Sequence, residues 1–228
     1  MEKRFVIAID GPAGSGKSTV AKIIAKKLGF LYVDTGAMYR ALTLKAIKEN
    51  IPFSDEKKLV EMARNSRIEL FSGDTGYNVF LDGKDVSGEI RTERVSKESH
   101  FVASVLAIRE ILWKMQREFR EKYDMVMEGR DIGSKVFPDA QLKVFLDASV
   151  RERARRRYLQ LKEMGIDANI EDIEKDIVQR DKKDENRSIS PLLRLPDAIY
   201  IDTTGITIQQ VVDRIISLYP GSASVSYH

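Results

Sequence analysis

The 228-residue sequence contains no cysteine and only two histidines, His100 and His228. The lack of cysteine excludes disulfide scaffolds, cysteine nucleophiles and thiolate metal sites. Two histidines leave almost nothing from which to build a histidine zinc site or a Ser-His-Asp triad. These classes of chemistry are therefore excluded before any motif is considered.

Long apolar runs and a strong net charge are also missing. The apolar run nearest the start, Phe5–Ile9, is too short for a signal-peptide core, and no segment approaches the roughly 18 apolar residues of a membrane helix. The 38 Lys and Arg residues against 35 Asp and Glu residues leave a charge of +3. This bias is too weak to indicate nucleic acid or a membrane as a partner. We therefore expect a cytoplasmic protein, and since no heptad repeat or large apolar patch argues against it, a monomer.

The composition that is present, 43% hydrophobic and 32% charged residues, is ordinary for a globular protein with a real core. Apolar runs alternate with amphipathic segments, which predicts a parallel sheet with helices on both faces. Helices are predicted at Lys17–Leu28, Ala37–Asn50, Thr92–Tyr123 and Thr207–Tyr219. The predicted strands are Phe5–Asp10, Phe30–Val33, Asp124–Met127, Leu142–Leu146 and Ala198–Ile201.

Glycine-containing turns are concentrated in residues 66–91. Between them lie two short alternating stretches, Ile68–Phe71 and Tyr77–Leu81. This pattern predicts a small antiparallel β insertion in the parallel domain. We expect residues 221–228 to form a frayed tail.

A glycine-rich segment follows the first predicted strand and opens the first helix. Residues 11–18 (GPAGSGKS) match the phosphate-loop pattern G-x-x-x-x-G-K-[ST]. Glycines let backbone N–H groups converge on phosphate oxygens, and the helix N-terminus adds its positive end. Lys17 can reach the β- and γ-phosphates, and the Ser18 hydroxyl can bind Mg²⁺. The motif predicts a nucleoside-triphosphate site on a three-layer P-loop fold; because no Asn-Lys-x-Asp string for guanine is present, a small-molecule kinase is favoured over a GTPase.

Two further motifs follow predicted strands: residues 34–40 (DTGAMYR) and 128–133 (EGRDIG). Ligands of open parallel sheets bind at the carboxyl ends of strands, so both motifs are expected at the crevice of the phosphate loop. Arg40 is a candidate phosphate ligand, and Arg130 and Asp131 place a cation beside an acid. Each motif alone is equally consistent with a solvated turn. Together with the phosphate loop they indicate an acceptor site.

From Ile7 to about Tyr219 the sequence resembles the bacterial cytidylate kinases. The most specific motif is residues 85–91 (DVSGEIR), which belongs to the β insertion of these enzymes. The resemblance implies a nucleoside-monophosphate kinase that uses ATP and Mg²⁺ to convert CMP and dCMP to CDP and dCDP. The other shared motifs are the phosphate loop, residues 34–40, 128–133, 136–140 (VFPDA), 144–148 (VFLDA) and 180–187 (RDKKDENR).

The resemblance also implies roles for individual residues. Asp131 would accept from the cytosine N4 amino group, and Arg109 and His100 would supply the donor side. His100 departs from the Ser frequent at that position, and a structural role for it has equal weight. The implied catalytic residues are Lys17, Arg130 and Arg187. ATP would be bound by Gly11, Pro12, Ala13, Gly14, Ser15, Gly16, Lys17, Ser18 and Thr19, and CMP by Thr35, Arg40, His100, Arg109, Arg130, Asp131, Arg180, Asp184 and Arg187.

Two charged segments can also be interpreted as solvent-exposed helix surface without a role in binding. Arg180, Asp184 and Arg187 have the spacing of one helix face, where a surface ion-pair ladder would contribute little. A basic run could be a solvated helix face or an RNA contact, but it resembles the mobile lid of nucleoside-monophosphate kinases, which closes over the triphosphate. The run comprises Arg151, Arg153, Arg155, Arg156 and Arg157.

The sequence thus predicts a single P-loop kinase domain over residues 1–228. Its core spans about 1–65, 92–150 and 190–220, and the lid and acceptor-contact helices span about 151–187. Two alternatives to cytidylate kinase activity stay open. One is a kinase for a different small acceptor such as UMP, and the other, less favoured, is an ATP-dependent RNA-binding module.

Overall fold

A computed structural model describes residues 3–73, 76–163 and 165–221. In chain order the strands are β1 (Val6–Asp10), β2 (Leu31–Asp34), β3 (Ile68–Gly73), β4 (Gly76–Leu81), β5 (Lys84–Asp85), β6 (Met125–Gly129), β7 (Leu142–Asp147) and β8 (Ile199–Asp202). The helices are α1 (Lys17–Leu28), α2 (Thr35–Lys48), α3 (Glu56–Arg64), α4 (Glu93–Ser104), α5 (Leu106–Glu118), α6 (Val150–Glu163), α7 (Ile170–Glu185) and α8 (Ile208–Ser217).

The strands form two sheets. The larger has the order β2-β6-β1-β7-β8, and β1 pairs in parallel with β6 and β7, as β7 does with β8. The smaller has the order β3-β4-β5 and is antiparallel. The predicted α/β fold, with a five-stranded parallel sheet and a small antiparallel insertion, is therefore confirmed.

The chain divides into two compact units. The first comprises the described residues of Met1–Tyr32 and Tyr123–His228, and the second comprises Val33–Lys122. In the first unit every residue of β1 and β6 is buried. Continuous apolar strands of this kind are expected where both faces of a parallel sheet are covered. The helix α8 begins with a capping box between Thr207 and Gln210 and buries an apolar face that includes Val212 and Ile216.

The core of the second unit lies among α2, α3, α4, α5 and the antiparallel hairpin. Met38, Leu42, Leu59, Ile108 and Leu112 are buried in it. The hairpin pairs Leu70 with Val79 and Ile68 with Leu81, which places the apolar side chains on one face. Between β4 and β5, Asp82 and Gly83 both have positive φ, 51° and 79°. An Asp-Gly pair in this conformation forms the tight turn that matches the twist of a hairpin.

The structure differs from the sequence-based expectations at three places. The predicted helix over Thr92–Tyr123 is two helices, because Val105 between them has extended backbone (φ −84°, ψ 114°). The side chain of Arg109 donates from Nε to the carbonyl oxygen of Ala103 at 2.7 Å and so caps the end of α4. The helix α3 and a five-residue π-helical turn at Ile132–Val136 were not anticipated.

The predicted frayed tail lies, except for Gly221, outside the described residues. Among the described residues, no helix combines the length and the apolarity needed to cross a membrane.

Three aromatic rings pack together within the first unit, just beyond the end of α8. The Tyr219 ring meets those of Phe5 and Phe30 edge-on, at centroid distances of 5.0 and 5.6 Å. We expect Tyr219→Ala to lower the free energy of unfolding by about 2 kcal/mol, since two aromatic contacts are lost. Urea unfolding measures this. Tyr123→Ala is the control, because that ring is half-exposed; equal losses from both variants would contradict the packing role of Tyr219.

Candidate active site

The predicted phosphate loop joins β1 to α1, and glycine geometry determines its course. Gly14 and Gly16 have φ of 80° and 94°, in the left-handed region. A Cβ added at Gly11 (φ 149°) would lie 2.0 Å from the carbonyl oxygen of Leu146. Gly16 is the N-cap of α1 and has no side chain to bond the first N–H groups of the helix. The loop therefore leaves backbone donors of the helix N-terminus available to an anion.

Lys17 is 4% exposed and folds back over the loop, where its Nζ donates to the carbonyl oxygen of Pro12 at 2.6 Å. Burial, together with the positive charge of Arg130, lowers the pKa of Lys17 to about 7, while the charge of Glu128 opposes this shift. An anion that binds beside a buried lysine stabilises the charged form of that lysine, because it offsets the desolvation of the positive charge. The geometry thus suits Lys17 to a phosphate ligand.

Two arginines converge on one carboxylate in the same unit. Arg130 donates from Nε to Asp184 at 2.9 Å, and Arg187 donates to the other oxygen of that carboxylate. Because two positive charges share one negative charge, the group retains a net positive charge that suits a phosphate. The helix α7 ends at Glu185, so Arg187 lies beyond it rather than on its face. Arg180 is exposed on α7, and its charge also lowers the pKa of Lys17.

The basic run on α6 is not uniformly solvent-facing. Arg153 is buried, and its guanidinium donates to both oxygens of Asp181, at 2.6 and 3.0 Å, and to the carbonyl oxygen of Ala13 in the phosphate loop at 3.1 Å. Arg156 donates to the hydroxyl and carbonyl oxygens of Thr203. The single hydroxyl proton of Thr203 is shared between the carbonyl oxygen of Asp147 at 2.9 Å and that of Ser15, in the loop, at 3.2 Å. Two arginines of the run therefore support the phosphate loop from behind.

The other arginines of the run, Arg151, Arg155 and Arg157, are exposed. Arg155 donates from two nitrogens to Glu152, at 2.9 and 3.0 Å, and Arg157 donates to Gln160. The hydrogen bond from Arg155, and further that from Arg156, lowers the pKa of Glu152 to about 2. This part of α6 has the character of a solvated helix face.

The remaining acceptor candidates lie in the second unit. The Asp34 carboxylate caps α2 by accepting from the N–H of Ala37 at 2.9 Å, and it pairs with Arg40 at 3.0 Å. A Cβ at Gly36 would come within 3.0 Å of the Arg40 guanidinium. Thr35 is the first residue of α2 and is buried. The motif therefore fixes its own arginine through the cap of the helix that it begins.

Arg109 and His100 have different surroundings in this unit. Arg109 is 2% exposed, bonded to Ala103 and 5.4 Å from the ring centroid of Tyr39. His100 lies on the exposed side of α4, and its Nδ1 donates to the carbonyl oxygen of Lys97 at 2.6 Å. Its ring lies 4.0 Å from that of Phe101. Arg109 thus has a structural partner whatever it binds, while His100 faces solvent.

Comparison with known proteins decides the family. The sequence model described as cytidylate kinase matches residues 7–220. The chain belongs to the cytidylate kinase family. The cytidylate kinase of Alkaliphilus oremlandii is 52% identical over 215 residues, which cover 94% of this chain and 97% of that protein. The cytidylate kinase of Bacillus cereus (strain ATCC 10987 / NRS 248) is 47% identical over 221 residues, which cover 97% and 98%.

Among solved structures, an uncharacterized protein from Eubacterium ventriosum superposes with a TM-score of 0.52 and 15% identity, over 94% of this chain and 98% of that one. A likeness at this identity shows the fold alone. The resemblance of the sequence to cytidylate kinases is confirmed by the family match.

Sequence reasoning missed three polar residues at this site: Asp181 and Thr203, which support the phosphate loop, and Asp10, which ends the strand before it. Asp10 could have been noticed, because it is an acid that ends a fully apolar strand. Asp181 and Thr203 gave no such signal, since their partners lie 28 and 188 residues away along the chain. Among the residues that the structure describes, no three acidic or histidine side chains cluster as ligands of a metal ion.

The buried pair of Arg153 and Asp181 gives a test of this support. Asp181→Ala would leave the Arg153 guanidinium buried without its carboxylate, so we expect the free energy of unfolding to fall by about 3–5 kcal/mol. Asp176→Ala on the same helix is the control, because Asp176 is exposed. Chemical denaturation of both variants measures the difference. Similar small losses would show that the pair does not hold the loop.

Proposed function

We propose that the protein transfers the γ-phosphoryl group of ATP to the 5′-phosphate of CMP and dCMP, giving CDP or dCDP and ADP. The observation that carries the proposal is the glycine-formed phosphate loop with buried Lys17, in a chain of the cytidylate kinase family. The acceptor phosphate is already an anion at neutral pH, so no strong general base is needed. Catalysis then consists of aligning two polyanions and neutralising the charge that spreads over the transferring group.

The proposed catalytic residues are Lys17, Arg130 and Arg187. Asp184 orients both arginines through its two oxygens, so neither guanidinium has to be ordered when substrate arrives. Preorganised charge of this kind costs no reorganisation at the moment of transfer. Lys17 differs from the arginines in that burial disfavours its charge and lowers its pKa; a bound triphosphate would raise that pKa again and so favour the charged form.

ATP is proposed to bind along residues 11–19, with phosphate oxygens facing the N–H groups of the loop and of the first turn of α1. The exposed Ser18 hydroxyl fits the site of Mg²⁺, a hard cation that in kinases takes few protein oxygens and several from phosphates and water. Bound Mg²⁺ would neutralise charge on the β- and γ-phosphates. Of the α6 arginines, the exposed Arg151, Arg155 and Arg157 are proposed to close over the triphosphate and exclude water, while Arg153 and Arg156 hold the phosphate loop.

The proposed CMP-binding residues are Thr35, Arg40, His100, Arg109, Arg130, Asp131, Arg180, Asp184 and Arg187. Asp131 is buried, and a carboxylate there accepts from the N4 amino group of cytosine but repels the O4 of uracil. Action as a monomer in the cytoplasm, without a nucleic-acid partner, stays a prediction.

The first experiment measures ADP release with Mg²⁺ and ATP in the presence of CMP, dCMP, UMP, AMP or no acceptor. We expect strong stimulation by CMP and dCMP, and far less by UMP. Lys17→Ala should lose turnover by a factor of roughly 10² or more, since a charge that neutralises the transferring group is removed. Lys26→Ala, an exposed lysine of α1, should not. Release that no acceptor stimulates would overturn the proposal, and equal stimulation by UMP would retain the kinase but reject the cytosine pocket.

The base preference has its own test. Asp131→Ala should lower the ratio of kcat/KM for CMP to that for UMP, because the acceptor for N4 is lost, by roughly tenfold or more. Steady-state kinetics with both acceptors gives the ratio. Asp139→Ala, a half-exposed aspartate later in the same segment, serves as the control. An unchanged ratio in Asp131→Ala would mean that another residue reads the base.

A further inference from the structure

Asp10 is a buried acid at the end of β1, directly before the phosphate loop, and it is not among the proposed substrate-binding residues. Its two carboxylate oxygens each accept one backbone N–H. Oδ1 accepts from Ile132 at 2.9 Å and Oδ2 accepts from Gly133 at 2.8 Å. The side chain thus bonds a segment more than 120 residues away in the sequence.

The segment that Asp10 bonds is the turn that follows β6. After Gly129 the chain passes Arg130 and Asp131 and enters the π-helical turn Ile132–Val136. The carbonyl oxygen of Asp131 accepts from the N–H groups of Lys135 and Val136, at 2.8 and 3.3 Å. The first N–H groups of such a turn have no partner within it. The Asp10 carboxylate, from outside the turn, accepts from the first two of these groups, the N–H groups of Ile132 and Gly133.

Side chains pack closely around Gly133. A Cβ added there would lie 3.2 Å from a side-chain carbon of Leu195, 3.3 Å from one of Lys143 and 3.4 Å from Oδ2 of Asp10. The lack of a side chain at Gly133 therefore leaves room for the Asp10 carboxylate and for these two side chains. The adjacent N–H groups of Ile132 and Gly133 each need an acceptor, and the two oxygens of the Asp10 carboxylate provide one for each.

We propose that Asp10 is a positioning residue for the acceptor, which fixes the directions of Arg130 and Asp131 by holding the two N–H groups that immediately follow them. The inference rests on the proposed function of those two side chains. Asp10 also precedes Gly11, so one carboxylate ties the start of the phosphate loop to the start of the acceptor turn.

The electrostatic surroundings agree with a strongly constrained carboxylate. Burial raises the pKa of Asp10 to about 6, and the nearby charge of Asp131 acts in the same direction. The two N–H groups and the charge of Lys17 oppose the rise. Asp10 is thus an acid whose charge is disfavoured by burial and by Asp131, the acid proposed to bind the base, and favoured by Lys17 of the phosphate loop.

The variant that tests the role is Asp10→Asn, which keeps the size of the side chain but turns one acceptor into a donor aimed at an N–H group. We expect kcat/KM for CMP to fall by roughly 10- to 100-fold, because a small misplacement of binding groups has effects of this size. Both a higher KM for CMP and a lower kcat should contribute. The affinity for a non-hydrolysable ATP analogue, measured by calorimetry, should change little.

Asp124→Asn is the matched control. The Asp124 carboxylate also bridges the segments of β1 and β6, by accepting from the N–H of Phe5 at 2.7 Å, but at the amino ends of these strands. We expect this variant to lose stability without a change in KM for CMP. The wild-type acceptor assay is run first, so that failure of CMP phosphorylation is recognised separately from failure of the Asp10 proposal.

Two outcomes would overturn the inference. One is a loss of stability in Asp10→Asn with KM and kcat for CMP unchanged, and the other is an equal loss of affinity for the ATP analogue. If Asp10→Asn does not fold, Gly133→Ala crowds the same turn, because the added Cβ would lie 3.2 Å from Leu195 and 3.3 Å from Lys143. It should raise KM for CMP in the same way, and an unchanged KM there would also count against the proposal.

Discussion

The structure of this site depends on the close approach of Gly11 to the carbonyl oxygen of Leu146. No side chain fits at Gly11, so the chain can leave β1 and pass the end of β7 at van der Waals distance. The loop then turns through two further left-handed glycines and delivers the N-terminus of α1 with its N–H groups unobstructed. The backbone donors proposed to bind ATP are placed by this short stretch of backbone.

Buried and half-buried charges near the loop are each paired with a charge of opposite sign. Arg153 is neutralised by Asp181, Lys17 lies near Glu128 and Asp10, and Asp184 balances two arginines. Replacing one member of such a set leaves a partner uncompensated, which costs more than the pair itself contributes. The arrangement therefore fixes side-chain directions, and a site that must meet two polyanions benefits from fixed directions.

The sequence predicts what is local and periodic. The helix α1 has the predicted bounds, the parallel strands lie within two residues of their predicted ends, and the Asp-Gly turn of the insertion is where its sequence places it. The break at Val105 was missed because α4 is capped by the side chain of Arg109, a side-chain-to-backbone bond that leaves no periodic signal in the sequence. The burial of Arg153 was missed for a similar reason. The five arginines of the run cannot be told apart in the sequence, and Arg153 differs only through its hydrogen bonds to Asp181 and Ala13.

Arg109 shows why sequence resemblance and structure must be combined at such a site. The resemblance implies that Arg109 binds the base. In the structure its side chain is bonded to the end of α4 and lies against Tyr39. These two descriptions are compatible, because a guanidinium has five N–H donors in one plane and can hold a helix end with one of them. A residue fixed by structure loses less conformational entropy on binding than a free surface arginine would. The bond to Ala103 is therefore a reason to expect Arg109, rather than the solvent-facing His100, to provide the more rigid contact to a nucleotide base.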